Sequence, residues 1–179
     1  MTTARLVFNF VAFQAAWFAA VGGAAAGHDW AGPAATAVVA AVHLATAPQP
    51  RRELGVLLAV GALGTVWDSV LVALGVVEYR GAALGPGLAP VWIATLWIAF
   101  ATTLSGSLRW LQGRRWLAAL LGAVFGPLAY AAGESMGAVR LPALTALAVE
   151  AAGWAVLLPL ACAIAARASD PGSLEARRV

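Results

Sequence analysis

Asp68 is the residue in this chain best placed to do chemistry. It stands in Val66-Trp67-Asp68-Ser69, near the middle of a long apolar run. A carboxyl in such a run is costly unless it is hydrogen-bonded, exchanges a proton or meets a ligand. Glu150 lies in a second apolar run, one turn before Trp154, and His43 in a third. At 1.5 Å rise per residue, Asp68 and Glu150 each fall about nine residues from the outer end of their runs, and His43 about ten. Gln14 and Trp17 in the first run, and Ala99 and Thr102 in the fourth, match that level. The expectation is one polar layer, slightly toward the outer leaflet, holding Gln14, His43, Asp68, Thr102 and Glu150. The alternative is a scatter of separate interhelical hydrogen bonds.

Helical periodicity says which way these groups face. At 100° per residue, Gly61, Gly64, Asp68 and Gly75 share an arc of about 60°. Small residues let a second helix approach, so this face is expected to turn Asp68 into a bundle rather than toward lipid. Asp68 then either acts chemically or serves as a structural acid bonded to a neighbouring helix. Phe10, Gln14 and Trp17 share a similar arc of the first run; an amide between aromatics suits a lipid or carbonyl headgroup, and equally a packing seam. Trp92, Thr95, Ala99, Thr102, Thr103, Gly106 and Trp110 line one face of the fourth run. Threonines in spans bond their own backbone carbonyls, so that face is expected to be a tight seam. Gly122, Gly126, Tyr130 and Gly133 align in the fifth, where Pro127 is expected to kink the helix and Tyr130 to line a cavity mouth. Glu134 and Arg140 are expected at the outer surface, in water.

The elements that position these groups follow from composition. The chain has 179 residues, of which 62% are hydrophobic and 11% charged; its mean hydropathy is +0.85 and its pI about 10.0. A soluble domain of this size could not bury so much apolar surface, so the excess faces lipid. Six apolar stretches run over residues 5–26, 33–48, 54–77, 90–111, 116–136 and 141–167, separated by proline, glycine and arginine clusters. Most approach the ~20 residues that a crossing needs, and the second is short. The predicted fold is an all-α polytopic transmembrane bundle of about six spans: one domain over residues 1–168 and a polar cytoplasmic tail over 169–179. The first stretch resembles a signal peptide in its Arg5 and Ala24-x-Ala26, but Asn9, Gln14 and Trp17 interrupt it, so it is expected to be retained.

Arginines set the orientation, since all 11 basic residues are arginine. With the N-terminus inside, Arg5, Arg51, Arg52, Arg109, Arg114, Arg115, Arg167, Arg177 and Arg178 fall on the cytoplasmic side, and only Arg80 and Arg140 outside. Both termini are then expected in the cytoplasm. Trp30, Trp92, Trp110 and Trp116 lie near segment ends, where indoles favour the interface.

Several chemistries are excluded. Arginines clustered between spans read as topology, so no nucleic-acid partner is expected. Cys162 is the only cysteine, so an intrachain disulfide is impossible. The absence of lysine excludes a retinal Schiff base. Two histidines, one in a loop, cannot build a multi-histidine iron site. No H-E-x-x-H, G-x-S-x-G or glycine-rich phosphate loop is present. No metal and no cofactor is expected.

Asn9-Phe10-x-x-Phe13-Gln14-x-x-Trp17-Phe18, Trp67-Asp68-Ser69, Pro90-x-Trp92-Ile93-x-x-Leu96-Trp97, Phe100-Ala101-x-Thr103-Leu104 and Gly126-Pro127-Leu128-x-Tyr130-x-x-Gly133 together resemble the bacterial inner-membrane family of domain of unknown function 2878 (DUF2878). The resemblance spans nearly the whole chain and carries no established activity. The genomic company associated with it, cyclopropane-fatty-acid-synthase-like enzymes and stress-response regulators, implies work near membrane lipids. His43 and Glu150 stand outside the resembling residues.

Three functions compete. The first is an enzyme or accessory subunit of lipid modification. Asp68 is then the acid/base or orienting group, Gln14 and Tyr130 its hydrogen-bonding partners, and Trp17, Trp67 and Trp97 the walls around an acyl chain or headgroup. Asn9, Trp92, Thr102, His43 and Glu150 complete the candidate binding set. The second is a small proton-coupled transporter working through Asp68. The third is a non-catalytic partner of another membrane or lipid-modifying protein. A cavity open sideways to lipid favours the first, a two-sided aqueous path the second, and a solid bundle the third. Membrane lipids are the expected partners, and the oligomeric state is left open.

Overall fold

The computed structural model describes residues 2–169, with the side chain of Ser169 undescribed; the expected polar tail therefore lies almost wholly outside the described residues. Six α-helices account for most of the described chain: α1 (Thr3–Ala25), α2 (Ala31–Thr46), α3 (Pro50–Ala73), α4 (Val91–Leu104), α5 (Arg115–Ser135) and α6 (Ala146–Ser169). Of these, α1, α3, α5 and α6 are long and apolar enough to cross a membrane. The 16 residues of α2 and the 14 of α4 give lengths of about 24 and 21 Å, short of the ~30 Å hydrocarbon core.

The fourth segment thus corrects the expectation that it would run to residue 111. Ser105-Gly106-Ser107 end it early. The Thr103 carbonyl accepts from the amides of both Gly106 (3.0 Å) and Leu108 (2.8 Å), and a 3-10 turn, Arg109–Leu111, follows. The sixth helix starts at Ala146 rather than 141, because Val139–Arg140 is drawn into a strand. The third begins at Pro50, which needs no amide partner at the first helical position. It stops at Ala73, where Gly75 adopts φ 68° and the Val76 amide bonds back to the Leu71 carbonyl at 2.9 Å. Gly75 is therefore an exposed helix stop and leaves the face that Gly61, Gly64 and Asp68 keep.

The connections after α1, α3 and α5 meet at one end of the bundle and form a small cap. Strand β1 (Glu78–Tyr79) pairs antiparallel with β2 (Val139–Arg140). Asp29 Oδ2 accepts from the Ala82 amide at 2.9 Å, and the Arg80 guanidinium donates to the Ala25 carbonyl at 3.1 Å. Arg140 pairs with Glu78 at 3.0 Å in the open, where such a bridge contributes little. Glu134 accepts from the Leu141 amide at 2.9 Å. The other helix ends gather opposite: Ala4 and Ala168, from the start of α1 and the end of α6, line one cavity there. The helices therefore alternate in direction.

Short α4 is the centre of the packing. It lies against α1, α2, α3 and α6, and Ala99, Ala101, Thr102, Thr103 and Leu104 are buried. Its threonines bond their own helix, Thr95 to Trp92 O (3.1 Å), Thr102 to Ala99 O (2.7 Å) and Thr103 to Phe100 O (2.6 Å), so they enter the seam without unpaired hydroxyls. On α5, Gly122, Gly126, Tyr130 and Gly133 are all buried, and the helix runs on through Pro127. α1 packs on α2 and α4, and α5 on α6, but no close packing joins α1 to α5. Trp30, Trp110 and Trp116 are exposed as expected of interfacial indoles; Trp92 is buried instead, its Nε1 donating to the Arg80 carbonyl at 2.7 Å beneath the cap.

Candidate functional site

Asp68 is fully buried. It lies five residues from the last residue of α3, one and a half turns below the cap, and not near the helix middle as the sequence suggested. Three donors converge on its carboxyl. Tyr79 from β1 and Tyr130 from α5 both donate to Oδ1, and Trp97 Nε1 from α4 donates to Oδ2 at 2.5 Å. One acid thus ties the cap, α4 and α5 to α3. Next to it, Ser69 Oγ accepts from the Ala89 amide at 3.1 Å, fastening the connection that leads into α4. The Tyr79 phenol, outside the helices, is pushed well above its ordinary range by burial and then by the Asp68 charge, so it remains a donor.

Glycines decide which side chains can enter. A Cβ on Gly64 would overlap the Trp97 indole, so the missing side chain is what lets Trp97 lie on α3 and reach Asp68 one turn away. Gly126 gives the same room to Trp154. Trp154 stacks on Trp97, with centroids 4.7 Å apart and 13° between planes, and Phe100 meets both rings edge-on.

These aromatics form the back wall of a cavity of about 630 Å³. Asp68 and Tyr130 line its polar end. Phe10, Phe13, Gln14 and Trp17 of α1 form one side, Leu121, Phe125, Leu128 and Ala129 of α5 the other, and Leu158 of α6 joins the wall. Phe10, Phe125 and Leu128 are more than half exposed, so the cavity opens sideways through the gap between α1 and α5. Its lining is aromatic and aliphatic apart from Asp68, Gln14, Tyr130 and the indole N–H groups, a surface suited to an apolar chain with a single polar group.

Glu150 occupies the fifth position of α6, on the same side of the bundle as Asp68. It is also fully buried, yet neither carboxyl oxygen has a hydrogen-bond partner among the described residues. The indole nitrogens of Trp67 and Trp154 are likewise buried and unpaired. Trp67 is close enough to act on the Glu150 carboxyl, but the geometry falls short of a hydrogen bond. Buried polar groups are nearly always satisfied, so three in one region mark it as unusual.

The structure does not assemble the whole expected polar layer. Asp68, Gln14, Tyr130, Trp17 and Trp97 share the cavity, and Glu150 and Trp67 sit behind it. His43 belongs to the opposite end: in the last turn of α2 its Nε2 meets Glu53 Oε2 at 2.9 Å. The level assigned to it counted down a short helix and ran to the far end. Thr102 bonds within α4, and its carbonyl accepts from Asn9 Nδ2 at 3.2 Å. Asn9 Oδ1 accepts from the amide (2.9 Å) and hydroxyl (2.8 Å) of Ser107, so Asn9 is a clasp on the end of α4. Trp92 supports the cap. Two residues escaped sequence reasoning. Tyr79 lay in a segment read as loop, where an aromatic beside Glu78 and Arg80 was the only signal. Trp154 served only as a marker for Glu150.

Comparison with curated proteins and with solved structures finds no match to this chain. Residues 6–160 match the family model described as Protein of unknown function (DUF2878), and the chain belongs to that family.

Proposed function

We propose that this protein is an inner-membrane protein that acts on or near membrane lipids, admitting an acyl chain sideways between α1 and α5 to the Asp68 carboxyl. The observation that carries this reading is the lateral, aromatic-walled cavity ending at a buried acid. Asp68 serves as the acid/base or orienting group, Tyr130 and Gln14 hydrogen-bond the polar part of the ligand, and Trp17 and Trp97 hold its chain. The protein crosses the membrane six times as one domain over residues 1–168, with both termini in the cytoplasm. α2 and α4 reach the full thickness with their flanking turns, or through local thinning of the bilayer.

The test is Ala129→Trp, which fills the cavity from a half-buried position on α5 that makes no hydrogen bond to Asp68. Lipids that copurify with the wild type should be lost from this variant while its helicity and melting temperature hold. Lipidomics of a deletion strain, complemented by either form, should show a changed acyl-chain profile that only the wild type restores. An unchanged profile on deletion, with equal lipid content in both proteins, would refute the reading. The unpaired Glu150 beside the Asp68 cluster favours a second reading, a proton-coupled carrier; proton uptake into liposomes that Glu150→Gln abolishes would select it.

A further inference from the structure

We infer that a second cavity, at the end of the bundle away from the cap, binds the phosphate of an anionic membrane lipid. It measures about 590 Å³ and lies between the start of α1, the end of α2, the start of α3 and the turn after α4. None of the Asp68 cavity's functional residues takes part, and this inference does not depend on the function proposed for them.

Three arginines from three separate elements line it: Arg5, Arg52 and Arg109. The single acid in the lining, Glu53, is already engaged by His43 at 2.9 Å. The cavity therefore carries an excess of positive charge. A guanidinium offers five donors, and the only hydrogen bond that these three guanidinium groups donate among the described residues is from Arg5 to the Thr46 carbonyl, at 3.1 Å. Ser105 Oγ, in the same lining, is buried close to the Glu53 carboxyl, but the geometry falls short of a hydrogen bond.

Charge alone does not distinguish a lipid from a free anion; the remainder of the lining does. Phe8 on α1 and Val38 and Val42 on α2 continue the cavity as an apolar surface exposed on the outside of the bundle. Polar donors at a helix end, continuous with an apolar groove along two helices, match a phosphodiester with acyl chains attached. Bidentate contact with the phosphate oxygens is the geometry to which arginine is suited.

The experiment is native mass spectrometry of the full chain in mild detergent, titrated with dioleoyl phosphatidylglycerol, dioleoyl phosphatidylcholine or inorganic phosphate. The wild type should prefer phosphatidylglycerol over phosphatidylcholine by about tenfold, the scale of one or two charge-assisted contacts. The double variant Arg52→Gln/Arg109→Gln should bring the two lipids within about twofold. Arg109→Gln alone changes an exposed side chain, reports if the double variant fails to fold, and should lower the preference about threefold. Arg51→Gln/Arg115→Gln removes the same charge outside the cavity and should leave the preference intact. Equal binding of both lipids by the wild type would overturn the inference. So would an equal loss in the outside variant, which would reduce the effect to general surface charge, or inorganic phosphate binding as tightly as the lipid.

Discussion

Replacing Asp68 tests the organisation of the polar end of the lateral cavity, because three donors share one acceptor. Asp68→Leu leaves two phenols and an indole N–H buried without a partner. At ~1–3 kcal/mol for each orphaned donor, the loss is roughly 3–9 kcal/mol, reduced where the side chains relax toward one another. Asp68→Asn is milder but not silent. The amide has one acceptor oxygen in place of two, so if it faces the tyrosines its NH₂ opposes the Trp97 N–H. If it faces Trp97, both phenols must turn their hydrogens elsewhere. Either way one or two donors go unpaired, a cost of about 1–6 kcal/mol on the same scale, less where a phenol accepts from the new amide. Tyr79→Phe and Tyr130→Phe each remove one donor and leave Asp68 with two, so each should cost only about 1–2 kcal/mol. The assay is unfolding of each purified variant by titration from mild detergent into dodecyl sulfate, followed by helicity. The order of stability should be wild type, then the phenylalanine variants and Asn, then Leu. A Leu variant as stable as the Asn variant, or within about 0.5 kcal/mol of wild type, would refute the claim that Asp68 organises these helices. Complementation of the deletion strain separates structure from chemistry: an Asn variant that melts slightly low yet complements fully would assign Asp68 a structural role only.

Gly64→Leu should collapse yield in membranes, because any side chain at that position displaces the Trp97 indole, whereas Ala73→Leu, exposed at the end of α3, should be tolerated; equal tolerance would remove the seam. Reporter fusions after residue 30 and within 78–89 should read periplasmic, and those after residues 52 and 112 cytoplasmic, and a cytoplasmic signal from 78–89 would overturn six crossings. His43→Ala breaks a mostly buried pair far from the lateral cavity, so it should lower stability by about 1–2 kcal/mol, as read by the same melting analysis.

The sequence resolved faces better than lengths. The Gly61/Gly64/Asp68 face turned inward, the α4 threonines bonded their own carbonyls, and the α5 glycines faced a helix, because each follows from a 3.6-residue repeat. Helix ends were harder. At the end of α4 the Ser107 amide is captured by Asn9, almost a hundred residues earlier, and no local pattern announces that bond. Errors in length became errors in depth: His43 was placed level with Asp68 by counting, and a single short helix sent it to the other end. The strand pair behind Tyr79 was illegible for a similar reason. Two residues from each of two distant loops show no alternation, and their pairing is fixed by the helices that bring the loops together.

Asp68 and the cap explain each other. A carboxyl a turn and a half from a helix end would ordinarily meet water or headgroups, and full burial there requires a cover. Tyr79 supplies it: β1 pairs with β2, which holds the tyrosine over the end of α3, and the phenol then bonds the acid. Cutting that link has an asymmetric consequence. A cap without Tyr79's hydroxyl keeps its strand pairing and the Trp92 bond, so the fold should persist. Water would gain a route to Asp68 from above, while the lateral opening between α1 and α5 stays as it is. Substituted-cysteine labelling in a Cys162→Ala background reads this directly. A cysteine at Ala89, which is fully buried and keeps its amide bond to Ser69 beside Asp68, should be protected from a membrane-impermeant thiol reagent in the parent and become labelled when Tyr79→Phe is added. A cysteine at Ala129, on the lateral side, should label identically in both. Labelling of the Ala89 cysteine that does not change with Tyr79→Phe would show that the cap covers Asp68 without help from that hydrogen bond, and would separate the cap from the site.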